Sequence, residues 1–300
     1  MMIRKLKYNE IDFEKYSQCL ENSAQRKYSA TKIFLDITTN KKWELLVYKD
    51  YEAVMPVPYV FKAGIKIVLN PMLCQQLGIF SKEDNVEINN HFLKFLEKKY
   101  LIKFYTFNEF NHFSSSLKCK KNFLIPVNNY EDVYSKYSPK RKRKLRLEKE
   151  IANHCEIKKI SFIQAEAFIK DNFLGASKEK DIDLFISIFK KMFEEGCLSF
   201  SAFYLHNKII NIIAIYFDDI TTALLGTFND KNAVKFSGAS MLIDHCIKEN
   251  IQYKVFDFEG SQLPNVEEFF RGFRPELRPY QLIEYSKVDI LKKIVRFKIF

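Results

Sequence analysis

Apolar and polar positions along the 300-residue chain follow two periods in turn. In residues 12–23, Phe13, Tyr16, Cys19 and Leu20 recur at three- and four-residue spacing, which predicts an amphipathic helix. Residues 43–48 and 51–59 are rich in β-branched and aromatic side chains on either side of Lys49-Asp50, which predicts a hairpin, and 65–69 supplies a third strand. Beyond a linker at 70–81, Ile88, Phe92, Phe95 and Leu96 form one stripe of a helix over 86–99, and 101–107 returns to strand composition.

The same order recurs after two additional helices expected at 139–153 and 181–195. Strands over 198–205 and 209–217 flank His206-Asn207-Lys208, a third follows at 221–228, then a helix at 239–250 and a strand at 253–258. The offset between the two sets is roughly 150 residues, about one domain length. An α/β chain with an internal duplication is the expected architecture. Its seam lies at 126–130, where Pro126, Asn128 and Asn129 interrupt the apolar pattern, giving domains at 1–127 and 128–300.

Composition bounds the rest. Apolar residues make up 47% of the chain, enough for a core in each half. The longest apolar run, 209–217, is broken by Asn211, and the N-terminus lacks the apolar segment of a signal peptide, so no transmembrane segment and a cytoplasmic location are expected. Six scattered cysteines without a CxxC pair fit buried thiols in a reducing compartment. The net charge of +11 favours an anionic partner, with a nucleotide, a nucleic acid, a lipid headgroup and a polyanion all open. Five histidines without ligand spacing give no expectation of a metal, and no nucleophile-elbow pattern supports a serine hydrolase.

Three constellations can carry chemistry. The first is the junction Lys235, Ser237, Gly238, Ala239, Ser240, which lies between a strand and a helix. Unpaired amides at a helix start, beside small residues and a lysine, suit a phosphate; the alternative is an ordinary cap made by Ser237 or Ser240. On the phosphate reading, Gly238→Asp is expected to harm donor binding more than folding. The matching stretch of the first half, residues 74–80, has Gly78 among bulky neighbours and is a poorer cradle. The second constellation is Asp257 and Glu259, which strand alternation puts on one face as a candidate general base or amine anchor. The alternative is pairing with Arg271, Arg274 or Arg278. The third is a run after Ser138-Pro139 that includes Lys140, Arg141 and Lys144, which either contacts phosphates or forms a solvated helix face.

The run Phe256-Asp257-Phe258-Glu259-Gly260-Ser261, with Pro264, Phe269-Phe270-Arg271-Gly272-Phe273 and Pro279-Tyr280, resembles the C-terminal portion of the FemAB-like branch of Gcn5-related acyltransferases. The resemblance is sharpest over 253–285 and implies two tandem domains of the Gcn5-related type, each a mixed, mostly antiparallel sheet flanked by helices. It implies transfer of an acyl or aminoacyl group, from acyl-CoA or aminoacyl-tRNA, to the amine of a small-molecule, glycan or peptide acceptor such as a cell-envelope precursor. The second domain would hold the donor at Lys235–Ser240, a partial match to a basic residue, two spacers, Gly, a spacer and Gly or Ala. Asp257 or Glu259 would serve as base, with Lys140, Arg141, Lys144 and Arg271 on substrate or tRNA phosphates. Apart from the resemblance, Tyr280 and Tyr285 are candidates for a proton donor to a leaving thiolate, the alternative being packing. The long helical arm of some relatives is absent from the sequence. A rival expectation is a non-catalytic protein that holds an anionic polymer on the same scaffold.

Overall fold

The computed structural model describes residues 3–146, 149–173, 179–260 and 263–298. In chain order the elements are β1 (Ile3–Leu6), α1 (Phe13–Glu21), α2 (Lys32–Thr39), β2 (Trp43–Tyr48), β3 (Ala53–Lys62), β4 (Ile65–Leu69), β5 (Phe80–Ser81), α3 (Val86–Lys99), β6 (Leu101–Thr106) and β7 (Lys118–Ile125). Then come α4 (Tyr130–Lys136), α5 (Pro139–Lys144), α6 (Lys149–Ala152), β8 (Cys155–Ile160), α7 (Phe162–Asn172), α8 (Glu179–Glu194), β9 (Leu198–Leu205), β10 (Lys208–Phe217) and β11 (Thr221–Asn229). The last are α9 (Gly238–Asn250), β12 (Val255–Asp257), α10 (Pro264–Arg271), β13 (Glu276–Glu284) and α11 (Lys287–Lys298).

Internal contacts divide the chain into two compact units, residues 1–121 with 279–300, and residues 122–278. The C-terminal stretch from Pro279 therefore packs with the first unit, where the sequence pattern gave a single cut near 127. Pattern alone misses this because the partner of β13 in the first unit, β6, precedes it by more than a hundred residues.

In the first unit β1, β2, β3 and β4 are successively antiparallel, β4 pairs β6 in parallel, and β6 pairs β13 antiparallel. In the second unit β8, β9, β10 and β11 are successively antiparallel, β11 pairs β12 in parallel, and β12 pairs β7 antiparallel. Both sheets are mixed, and the pairing senses run in the same order. Strand β10 is buried at seven consecutive positions, Ile210 to Tyr216, as a strand covered on both faces must be.

One face of the second sheet packs Phe203, Ile213, Ile215 and Leu224 against Leu242, Ile243 and Ile247 of α9. An aromatic cluster on α8 and the strands joins Phe185 and Phe189 to Phe200 and Phe228, with ring centroids 4.4–6.3 Å apart. Such rings supply large apolar area and favour the tilted contacts seen. The helix expected over 139–153 is broken into α5 and α6, with residues 147–148 outside the described set. Of the six thiols, Cys74 and Cys246 are buried, but Cys119 is exposed. No helix of the described residues is long and apolar enough to cross a membrane.

Candidate functional site

The site is built in the second unit, where β11 outruns its neighbour. β11 and β12 pair only at Thr221–Val255, Thr222–Phe256 and Ala223–Asp257, and β12 stops there while β11 continues to Asn229. Leu225 is the extra residue of a bulge against β10, between the pairs Ile215–Leu224 and Ala214–Gly226. A bulge re-aims side chains and ends regular pairing. Leu225, Gly226 and Thr227 are only half-buried, and beyond Ala223 no strand among the described residues covers this edge of β11. A cavity of about 200 Å³ borders it, lined by Gly226–Asn229 with Asn172, Phe173 and Phe185.

From β11 the chain passes through a short 3-10 helix, Lys231–Phe236, into α9. Ser237 adopts the left-handed conformation, φ 60°, and its side chain makes no cap; Ser240 Oγ instead accepts from Arg141. Neither serine therefore caps α9 in the ordinary way. Lys235 is exposed, with its ammonium 5.0 Å from the Phe236 ring. Gly238 is buried against the sheet: a Cβ there would lie 1.9 Å from Asn211 Oδ1 and 2.9 Å from Phe203 Cδ1. The glycine is thus required by helix–sheet packing, which corrects the expectation that Gly238→Asp harms donor binding more than folding. Gly78, at φ 121°, is enclosed likewise, a Cβ falling 2.2 Å from Asn111 Oδ1.

The carboxylate pair does not share a strand face. β12 ends at Asp257, and Glu259 sits in the following turn at φ 57°. Asp257 is buried, accepting from Asn122 Nδ2 at 3.2 Å and from the Glu259 N–H at 2.9 Å, so it holds the turn that presents the half-buried Glu259. Arg271 pairs with Glu267 at 2.8 Å and Arg278 with Glu276 at 2.6 Å. Tyr280 is buried in the part of β13 that belongs to the first unit; Tyr285, just past the end of β13 in the same unit, is half-buried and its hydroxyl donates to Glu97 at 2.5 Å.

The basic run has an inside and an outside. Ser138 caps α5 by accepting from the Arg141 N–H, with Pro139 at the first helical position, so Lys140 and Lys144 face solvent while Arg141 turns inward to 4% exposure. Its guanidinium lies 4.3 Å from the Phe269 ring and 4.1 Å from the Phe273 ring, donating to Ser240 Oγ and to the Phe269 carbonyl at 2.7 Å. Nε has no partner, and no carboxylate among the described residues forms an ion pair with this cation. Burial lowers Arg141 to about 10, against the opposing influence of Tyr137 and Asp244, so it stays charged at neutral pH. Asp244, one turn along α9 from Ser240, accepts from Tyr130 at 3.1 Å; burial raises its carboxyl, and the Tyr130 and Tyr137 phenols partly offset this.

A cavity of about 450 Å³ opens over Arg141 between α5 and α10. Lys140, Lys144, Arg271 and Arg274 line it, with Glu268 as its one acidic side chain among the described residues. The structure thus brings Lys140, Arg141, Lys144 and Arg271 together. The sequence reading passed over Phe269 and Phe273 as ligands of a cation, and over Tyr130, Tyr137 and Asp244; the four-residue spacing of Ser240 and Asp244 on an apolar helix was the available signal.

No family model matches the sequence, and no curated protein matches it. Solved structures do. FemX matches 93% of this chain and 96% of its own, with a TM-score of 0.64 at 10% identity. A conserved protein of unknown function from Bacteroides thetaiotaomicron VPI-5482 gives 0.55 at 10% identity over 95% of this chain and 100% of its own. L-PGS from Bacillus licheniformis gives 0.50 at 12% identity over 95% of each chain. The property shared at such identities is the fold, a mixed α/β architecture matched over nearly the whole chain.

Proposed function

We propose that this protein is a transferase that moves an acyl or aminoacyl group from an activated donor, an acyl-CoA or an aminoacyl-tRNA, to an amine. The observation that carries this reading is the edge of β11 beyond Ala223 that no described strand covers, followed, after the short 3-10 helix, by a helix start that no side chain caps. Unpaired backbone groups along such an edge can hold an extended amide-bearing ligand by strand addition. The fold shared with FemX supports the reading, and the acceptor is an amine-bearing cell-envelope precursor.

In this scheme the amine nitrogen attacks the donor carbonyl carbon, the carbon–sulfur or carbon–oxygen ester bond breaks, and the thiolate or alkoxide leaves. Glu259 receives the proton that the nitrogen loses, while Asp257 acts by fixing the turn that carries Glu259. Positioning supplies most of the acceleration, since near-attack geometry replaces a bimolecular entropy loss, whereas one general base contributes about 10²–10⁴-fold. The test is consumption of acetyl-CoA and of an aminoacylated RNA in the presence of a panel of amines. Amine-dependent loss of one donor is expected, with Glu259→Gln lowering turnover by about 10²–10⁴-fold and leaving donor affinity unchanged. Full turnover by Glu259→Gln removes Glu259 from the scheme, and donors consumed no faster than in buffer overturn the reading itself.

A further inference from the structure

Five cations surround the cavity between α5 and α10, and one of them is buried without a carboxylate partner among the described residues. Like charges crowd there. The Lys144 ammonium is pushed down by burial and then by the neighbouring charges of Arg141 and Lys140. Two of the rim cations have acidic partners, Lys140 with Glu268 at 3.0 Å and Arg271 with Glu267 at 2.8 Å. Arg141 has instead two aromatic faces, a hydroxyl and a carbonyl, which orient the guanidinium, and with Asp244 nearby its charge is compensated only in part. A charge held out of water in this way is costly unless an anion completes it.

We propose that this cavity is a receptor for a phosphate ester, with Arg141 fixed at its floor and Lys144 and Arg274 closing on the phosphoryl oxygens from the rim. The guanidinium fork suits phosphoryl oxygens, and its clamping between Phe269 and Phe273 removes the rotamer entropy that binding otherwise costs. Several cations in one cavity suit two successive phosphates better than one. As a statement about the donor this rests on the transferase reading, because both donor classes carry phosphates: the pyrophosphate of a coenzyme A thioester, or the backbone at the 3′ end of an aminoacylated RNA.

The test is calorimetric binding of inorganic pyrophosphate to the intact protein at low salt, followed by competition. The parent is expected to bind, and affinity to fall steeply as salt rises. Lys144→Gln with Arg274→Gln, which leaves the packed residues alone, is expected to weaken binding by on the order of tenfold. Arg141→Met is expected to abolish it. Competition by coenzyme A identifies the thioester source, and competition by a short RNA ending in CCA identifies the RNA source. Absence of binding by the parent, undiminished binding by the rim double variant, or competition by neither probe overturns the proposal. Pyrophosphate binding with no acyl transfer to any amine leaves the receptor standing and removes the transferase reading.

Discussion

The hydroxyl of Ser240, third residue of α9, accepts a hydrogen bond from the guanidinium of Arg141, which stands ninety-nine positions earlier on α5. The contact sets a cation beside the positive end of a helix dipole, an arrangement that a helix by itself disfavours. Two ring faces and the nearby Asp244 compensate in part. Desolvated cation–π contacts contribute about 2 kcal/mol or more each, which offsets only part of the several kcal/mol by which burying an ion is disfavoured. An unliganded site of this kind is a local weakness that binding would relieve.

Arg141→Met should accordingly leave the unliganded protein about as stable as the parent, within about 1 kcal/mol, because an apolar side chain of similar length fills the slot between Phe269 and Phe273. Urea denaturation with and without pyrophosphate checks this: the parent's midpoint rises with the anion and the variant's stays fixed.

Gly272→Ala should act on the same guanidinium from the other side. Its backbone is right-handed helical, so no torsional strain arises, but the added Cβ would lie 3.0 Å from both Nε and Nη2 of Arg141. Because Arg141 is clamped and has little room to yield, pyrophosphate affinity should drop by several-fold and stability by about 1–3 kcal/mol. Calorimetry reads the first and urea denaturation the second.

Gly238→Ala should destabilise the second unit by about 1–3 kcal/mol, since a Cβ 1.9 Å from Asn211 Oδ1 forces helix and sheet apart. Combining it with Asn211→Ala should restore part of the loss. A double-mutant cycle with no coupling between the two positions would refute the packing account.

Asp244 should tilt the pH dependence of stability. Its folded carboxyl titrates above the ordinary 3.8, so between that value and its folded pKa the native state holds a proton that the unfolded chain has released. More protons bound in the native state mean that stability falls as pH rises through this window and then levels off. Asp244→Asn should remove that component. The difference between the stability profiles of parent and variant should vary only across the window.

Asp257 and Glu259 should separate by readout. Asp257→Ala should cost about 1–3 kcal/mol, because the Asn122 amide and the Glu259 N–H lose their buried acceptor. Glu259→Gly should stabilise by about 1 kcal/mol by relieving a left-handed φ of 57° in a non-glycine residue. Thermal unfolding distinguishes the signs.

Much of the fold was legible because local patterns decide local structure. The stripe Ile88, Phe92, Phe95, Leu96 became α3, the runs around Lys49-Asp50 and His206-Asn207-Lys208 became hairpins, and the strands aligned between halves occupy the same places in the two sheets. Short or polar elements escaped: β5 has two residues, and β8, CEIKKI, carries three charges on a sheet edge where solvent accepts them. The carboxylate pair misled because alternation holds only while a strand lasts, and β12 ends at Asp257.

The sequence by itself determined the periodicities, the doubled order of strands and helices, the cap at Ser138 and the presence of a basic run, since each depends on residues a few positions apart. Only the tertiary structure decided that β13 pairs with β6, that Gly238 abuts Asn211, and that one base of that run, Arg141, is turned inward between Phe269 and Phe273. Those outcomes depend on which distant surfaces meet when apolar area is buried, and burial is a property of the assembled unit that no window of neighbouring residues contains.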